Sequence, residues 1–304
     1  MTVETISFGD GEKVLNWIAL TDALAFGHTL PKATVADSFL YRDQDTLLTR
    51  SAWIDGLGLA IKAATIFPGN GEKGLGTVNG MMSLLSDHDG TLEAMIDFHL
   101  VTKWKTAGDS LLAARHLARP DSQEILIVGA GAVAASLRVA YGAIFPDARF
   151  AIWNRSQDKA RSLAQNFPNT VVVHDLESAV RNTDIVTCAT SGTQPILQGE
   201  WLRPGQHVDL IGAYRPDMQE ADATALKRAK IFTDSRETTL HHIGEFAIPL
   251  AQGSITEADI LADFYQLPDF HRAPDDITLF KNGGGAHLDL MTARHILTAW
   301  RDAQ

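Results

Sequence analysis

A single cysteine, Cys188, is all the chain has. An internal disulfide framework is therefore impossible, and a reducing compartment fits. Cys188 lies in the apolar run DIVTCATSG, which reads as a buried small hydrophobe rather than a nucleophile. No stretch approaches the roughly 18 apolar residues of a membrane span. The opening MTVETISFGDGEKVLNW lacks the basic start and apolar centre of a secretory signal. Positive charge is scarce: 26 Lys and Arg stand against 37 Asp and Glu, for a formal net charge of -11. That balance argues against a general nucleic-acid or anionic-membrane surface, though not against a small basic pocket. Fixed-period repeats and low-complexity segments are also missing. The expectation is a folded cytoplasmic protein.

What is present points to two domains. Hydrophobic residues make up 45% of 304, enough for a sizeable core, and the length suits about two domains. Residues 14–32 predict a helix, ended near Gly27 and Pro31. Strand-like runs follow: DSFLYR, DTLLTRSAWI, LGLAIKAATIF, TVNGMMSLLS and TLEAMIDF, with HDG as a hairpin turn between the last two. Strand after strand implies a mostly antiparallel sheet. An amphipathic helix over 99–120 leads to a linker, ARPDSQ, near residues 118–124. Beyond it the texture changes to short, continuously apolar strands separated by helical or loop segments: EILIV, RFAIW, TVVVH, DIVTCAT, HVDLIGA and KIFTDS. That alternation marks a doubly wound parallel sheet. A last helix covers AHLDLMTARHILTAW. The predicted class is α/β. A Rossmann-type domain spans 119–285, and an α+β domain with a mostly antiparallel sheet is built from 1–118 plus 286–304.

ILIVGAGAVAAS carries G-x-G-x-x-A at Gly129, Gly131 and Ala134, with Ala132 and Val133 opening the helix. The first glycine permits the tight turn, and the second lets a pyrophosphate approach the backbone. The small third residue lets helix and strand pack closely. The pattern is weak alone; its strand-turn-helix-strand setting is what gives it weight. The second strand ends in Asn154, Arg155 and Ser156, without the acid that usually meets the ribose hydroxyls of NAD. Arg155 can pair with a 2′-phosphate, and its neighbours can donate hydrogen bonds, so NADP(H) is expected over NAD(H). Arg155 could instead be an ordinary surface arginine. A nicotinamide cofactor implies hydride transfer. The antiparallel domain is expected to supply the substrate site, in the cleft between the domains.

One residue in the antiparallel part stands out. Lys62 sits mid-strand in GLGLAIKAATIFPGN, sharing its face with Ala60 and Ala64. A buried ammonium is costly without a partner. It either meets an anionic ligand, snorkels to solvent, or forms a structural ion pair.

Five segments, in order, resemble the ornithine cyclodeaminase/mu-crystallin family: IKAATIFPGN, GLGTVNGMMSLLSDHDGTLEAMID, KTAGDSLLAARHLARPD, VGAGAVA and ITLFKNGGGAHLDL. Together they cover nearly the whole chain. The family includes ornithine cyclodeaminases, alanine dehydrogenases and imine or ketimine reductases. The resemblance implies that Lys62 holds a substrate carboxylate beside the nicotinamide. Lys105 stands where the family has a carboxylate-binding arginine, keeping the charge but losing the bidentate fork; it could also pair locally with Asp109. Lys32 matches a second family arginine more loosely, and Arg50 is a spare candidate for an anion contact. Thr77 and Thr106 resemble nicotinamide-side hydroxyls. Ala189 and Thr190 follow the fourth Rossmann strand, Gly212 follows a later one, and Asn282 matches a family serine near the carboxamide. The cyclodeaminases carry an aspartate where this chain has Tyr214, while Asp217 lies three residues on, past Pro216. That departure disfavours cyclodeamination.

The expected activity is reduction of the C=N bond of a cyclic imine 2-carboxylate, such as 1-pyrroline-2-carboxylate to L-proline, by NADPH. Lys62 and Lys105 would be the principal site residues, with a small imino or amino acid as substrate. The alternatives are an ammonia-releasing ornithine cyclodeaminase using NAD, or a non-catalytic, crystallin-like NADPH-binding protein. The resemblance also implies a homodimer built through the first domain's sheet. His241, His242 and Glu245 (HHIGE) lack helical zinc spacing, so no metal is expected. His287 and His295, on the last helix, read as structural or surface residues.

Overall fold

Period-two alternation builds the first part of the chain around a six-stranded sheet. Its strands are β1 (Glu4–Ile6), β2 (Thr34–Arg42), β3 (Asp45–Ile54), β4 (Gly58–Ile66), β5 (Val78–Leu85) and β6 (Leu92–Asp97). The order is β1-β6-β5-β4-β3-β2, antiparallel except for the parallel β1–β6 pair. The HDG turn joins β5 to β6, with Gly90 at φ 69°, where glycine is favoured. One sheet face buries Ala52, Ile54, Ala60, Ala64, Met82, Leu84, Ala94 and Ile96. Helix α10 (Ala286–Asp302) packs against β2 to β5, and α2 (Trp17–Gly27) packs against α10. A short α1 (Phe8–Gly11) precedes α2. The α2–α10 approach is close: a Cβ on Gly27 would lie 2.6 Å from the Met291 sulfur. Helix α2 starts later than residue 14 because Asn16 caps it, accepting from the amides of Ile18 and Ala19, and it ends at Gly27, the first of the two stops in the sequence. The opposite sheet face carries exposed Leu40, Leu47, Trp53, Ile61 and Met81.

The computed structural model describes residues 3–304. They fall into two units: one reaching to Lys105 and resuming at Gly285–Gln304, the other Thr106–Gly284. The division lies within α3 (Phe98–Leu117), whose first turn is capped by Asp97.

The second unit is an eight-stranded, wholly parallel sheet in the order β13-β12-β14-β11-β10-β7-β8-β9. Its strands are β7 (Glu124–Val128), β8 (Arg149–Trp153), β9 (Thr170–Val172), β10 (Ile185–Cys188), β11 (His207–Leu210), β12 (Lys230–Thr233), β13 (Ile260–Ala262) and β14 (Thr278–Lys281). The intervening helices are α4 (Ala132–Ile144), α5 (Gln157–Ala164), α6 (Leu176–Asn182), α7 (Ala223–Arg228), α8 (Arg236–Thr239) and α9 (Gly244–Ala251). Strands β10 and β11 are buried throughout and β7 from its second residue on, which explains why they show no apolar–polar alternation. Burial pushes the Cys188 thiol pKa well up, so it sits as a packed, inert side chain. No helix among the described residues is long and apolar enough to cross a membrane.

Candidate active site

Strand β4 carries Lys62 on the buried face, between Ala60 and Ala64, with the side chain 8% exposed. Its ammonium donates to Asp289 Oδ1 of α10 at 2.9 Å and lies 4.8 Å from the centre of the Phe98 ring. Arg50 is directly opposite on β3 and is held by Asp37 of β2 through two bonds of 3.0 and 2.7 Å to one oxygen. Lys105, on α3, is also buried.

Burial lowers the Lys62 pKa, and Lys105 and Arg50 lower it further against the pull of Asp289. Burial alone would raise the Asp289 carboxyl, but Lys62, Lys105 and Arg50 together hold it below its usual value. The two shifts have different leading causes: burial for Lys62, and the neighbouring cations for Asp289. Lys105 and Arg50 act on both members of the Lys62–Asp289 pair in the sense that favours an anion beside it. Of the readings of Lys62, solvent snorkelling is excluded and an ion pair is present. A ligand carboxylate is compatible with that pair, because an ammonium has three donors.

His287 lies two residues before Asp289 and is 2% exposed. Its ring stands edge-on to buried His28, centroids 5.6 Å apart. Burial, then His28 and Lys105, push its pKa well down, so the imidazole is neutral. Asp289, His28 and His287 were not recognisable as site residues in the sequence. Of the two readings of His287, structural or surface, its burial and its contact with His28 support the structural one. Lys32 and Thr77 are exposed, in the connections before β2 and β5, not within this buried group.

In the second unit the candidate cofactor residues gather along one edge. Gly129, Asn154, Ala189 and Asn282 each directly follow a strand of the parallel sheet, and Gly212 comes two residues after β11. The chain runs β7–β8–β9 outward and then returns to β10 on the other side of β7, so the strand order reverses between β7 and β10. Ligands of such sheets bind at that reversal. Gly129, at φ 128°, sits there, and a Cβ on it would come 2.6 Å from the Ala189 carbonyl oxygen. Gly131 is the N-cap of α4, supplies no side-chain cap, and has open space where a Cβ would be. The free amides of Ala132 and Val133 head that helix. A hollow of about 290 Å³ lies alongside, lined by Gly131, Ala132, Lys159 and Ser162 among others. Lys159 went unnoticed in the sequence because its lysine lies on an otherwise ordinary polar helix face. This cradle fits a dinucleotide: glycine where a side chain would intrude, and donors at a helix start.

Arg155 and Ser156 are exposed at the end of β8, while the Asn154 amide turns back to the Ser156 carbonyl at 2.9 Å. The Asn282 amide donates to the Thr106 carbonyl and to Ser110 Oγ, both at 3.0 Å, so its NH₂ is committed to α3 rather than free for a ligand. Thr190 and Gly212 lie against each other, both bonded by the Glu220 carboxylate. Tyr214, two residues after Gly212, is 65% exposed. Asp217 is taken by Arg215 at 2.8 and 2.9 Å. Of the HHIGE group, His241 pairs with Glu257 at the surface and Glu245 is fully buried. No group of three metal-ligating side chains occurs among the described residues.

Residues 51–304 match the sequence profile of the ornithine cyclodeaminase/mu-crystallin family. The chain belongs to this family. It is 49% identical over 300 residues to a Delta(1)-pyrroline-2-carboxylate reductase of Paracoccus denitrificans, covering 96% of this chain and 95% of that one. The ketimine reductase mu-crystallin of Rattus norvegicus is 30% identical over 245 residues, covering 80% of this chain and 76% of the relative. Among solved structures, the Delta(1)-pyrroline-2-carboxylate reductase of Thermococcus litoralis, in complex with NADH and L-proline, shares the fold. The TM-score is 0.90 at 24% identity, over 99% of this chain and 98% of that one.

Proposed function

We propose that the chain is an NAD(P)H-dependent reductase of a cyclic imine carrying a 2-carboxylate, with 1-pyrroline-2-carboxylate giving L-proline as the leading pair. The observation that carries this reading is the buried Lys62 ammonium in a pocket biased toward anions, in a chain 49% identical to a reductase of that name. Asp289 fixes the Lys62 Nζ, and Lys62 with Lys105 holds the substrate carboxylate. The nicotinamide, when bound, supplies a hydride to the imine carbon. The ring nitrogen takes up one proton, so the product is the secondary amine. Burial and the Lys105 charge make the Lys62 ammonium a stronger acid than an ordinary lysine, which suits it to deliver that proton. Holding the reacting carbon in place supplies much of the rate enhancement. Cyclodeamination is disfavoured, since Tyr214 has no carboxylate and Asp217 is engaged by Arg215. The test is product analysis with NADPH and the imine, against ornithine with NAD+. Proline without ammonia release supports the reductase. Ammonia from ornithine with no imine reduction contradicts it.

The cofactor is NADPH in preference to NADH, because Arg155 is exposed at the end of β8 and residues 154–156 include no acid. Arg155→Asp is expected to raise KM for NADPH about tenfold or more while changing KM for NADH little. Equal effects on both would contradict the assignment.

The protein works as a cytoplasmic homodimer joined through the open sheet face. Trp53, Ile61 and Met81 are 49%, 43% and 42% exposed and share that face with exposed Leu40 and Leu47, and apolar side chains grouped on one face suit an interface. The double variant Ile61→Asp/Met81→Asp is expected to sediment as a monomer where the wild type sediments as a dimer. An unchanged dimer would place the interface elsewhere.

A further inference from the structure

Glu220 is fully buried, and each of its polar groups is spoken for. Its side-chain Oε1 accepts from the Thr190 amide at 2.7 Å and the Thr190 hydroxyl at 2.8 Å, and Oε2 accepts from the Gly212 amide at 2.6 Å. One carboxylate thus joins the turn after β10 to the turn after β11. Its own main chain is fixed in turn. The Glu220 amide donates to Glu245 Oε2 at 2.8 Å, and its carbonyl accepts from Ile196 and Leu197, both at 2.9 Å. The side chain therefore arrives already aimed. The turns it joins are in close contact, since a Cβ on Gly212 would overlap the Thr190 carbonyl oxygen.

Burial raises the Glu220 pKa, while the buried Lys281 ammonium and the Thr190 and Gly212 bonds oppose that rise. A carboxylate in this place needs a compensating charge, and Lys281 provides it. That lysine is fully buried at the end of β14, bonded to the Leu210 and Asn282 carbonyls. A purely structural link between two turns could be made by backbone hydrogen bonds without burying an acid. The acid's distinctive property is that it accepts from both turns at once and can donate to neither.

We infer that Glu220 is a positioning residue that sets the spacing of the turns after β10 and β11, and thereby the seat for the nicotinamide half of the dinucleotide. The inference rests on the dinucleotide reading above. The adenosine half, at the ends of β7 and β8, does not depend on Glu220. Glu220→Gln keeps the size but can present an acceptor to only one turn, and its NH₂ then faces an N–H on the other.

The test compares wild type and Glu220→Gln by calorimetric binding of whole NADPH and of ADP, with thermal unfolding recorded for both. The expected result is an NADPH Kd raised about tenfold or more and an ADP Kd within twofold of wild type. Equal loss for both ligands would mean that Glu220 only stabilises the unit, and unchanged NADPH binding would mean it does nothing for the site; either overturns the inference. Should the variant fail to fold, hydrogen exchange on the wild type decides. NADPH should protect segments 188–192 and 211–214 and ADP should not. Protection by both ligands, or by neither, counts against it. If wild type binds no dinucleotide at all, the functional reading falls and this inference with it.

Discussion

Lys62→Met is expected to lower kcat/KM for the imine by about 1,000-fold or more and to destabilise the protein at the same time. The two effects have different origins. On the function proposed above, activity is lost because the substrate carboxylate would lose its principal cation; a buried, hydrogen-bonded charge contact is worth about 3–5 kcal/mol when one partner is truncated. Stability is lost because Asp289, 1% exposed, keeps a buried carboxylate with its Lys62 bond gone. The double variant Lys62→Met/Asp289→Leu separates them. Replacing both charges by apolar groups of similar size is often close to neutral for stability, so unfolding should return to within about 1 kcal/mol of wild type while turnover stays lost. Recovery of turnover in the double variant would mean that Lys62 serves the fold alone. Persistent instability would mean that Asp289 has structural partners beyond the pair.

Gly129→Ala and Gly131→Ala should fail in different ways. Gly129 sits at φ 128°, and an added Cβ meets the Ala189 carbonyl at 2.6 Å. Its alanine variant is strained by about 1–3 kcal/mol and forces β7 and β10 apart where the dinucleotide is to lie. Both thermal stability and cofactor binding should fall. Gly131 has φ -94° and open space at the Cβ position. There alanine costs the apoprotein little, yet the methyl occupies the approach to the pyrophosphate. The expected result is unchanged unfolding with a Kd for NADPH raised about tenfold or more, read by calorimetry. Normal binding by Gly131→Ala would place the pyrophosphate away from the α4 N-terminus.

What could be read from the sequence was local. The turn at Gly129 and Gly131, the alternation that buries Lys62 with Ala60 and Ala64, and the antiparallel strand runs each depend on neighbours within a few residues. Their outlines match the structure to within a few positions. The partner of Lys62 was not local. Asp289 lies 227 positions away, and nothing in the first turn of the last helix marks its acid as different from any surface acid. His28 and His287 meet only because α2 packs on α10. Glu220 stands in QEAD, an ordinary polar stretch, and becomes significant only once two turns converge on it.

Three strands also escaped. ETI, which forms β1, has only three residues and pairs with β6 far along the chain. ILA, which forms β13, has three residues at the sheet edge and is too short for a period to develop. TLFK, which forms β14, lies deep in the sheet between β11 and β12, but ends in a buried lysine whose bonds to Leu210 and Asn282 no local pattern discloses. The start of the helix read over 14–32 was placed too early for a simpler reason: Asn16 begins the helix by capping it, and apolar residues precede it; its end falls at Gly27, one of the two stops read in the sequence.

The most direct test of the account follows the hydride itself. Cofactor carrying deuterium at the transferable position of the nicotinamide, given with 1-pyrroline-2-carboxylate, should yield proline with one deuterium at the α-carbon by mass spectrometry. The label should be retained in ordinary water, and Lys62→Met should give almost none of the product. Unlabelled proline, or no proline with either NADPH or NADH, would contradict the assignment of this chain as an imine 2-carboxylate reductase.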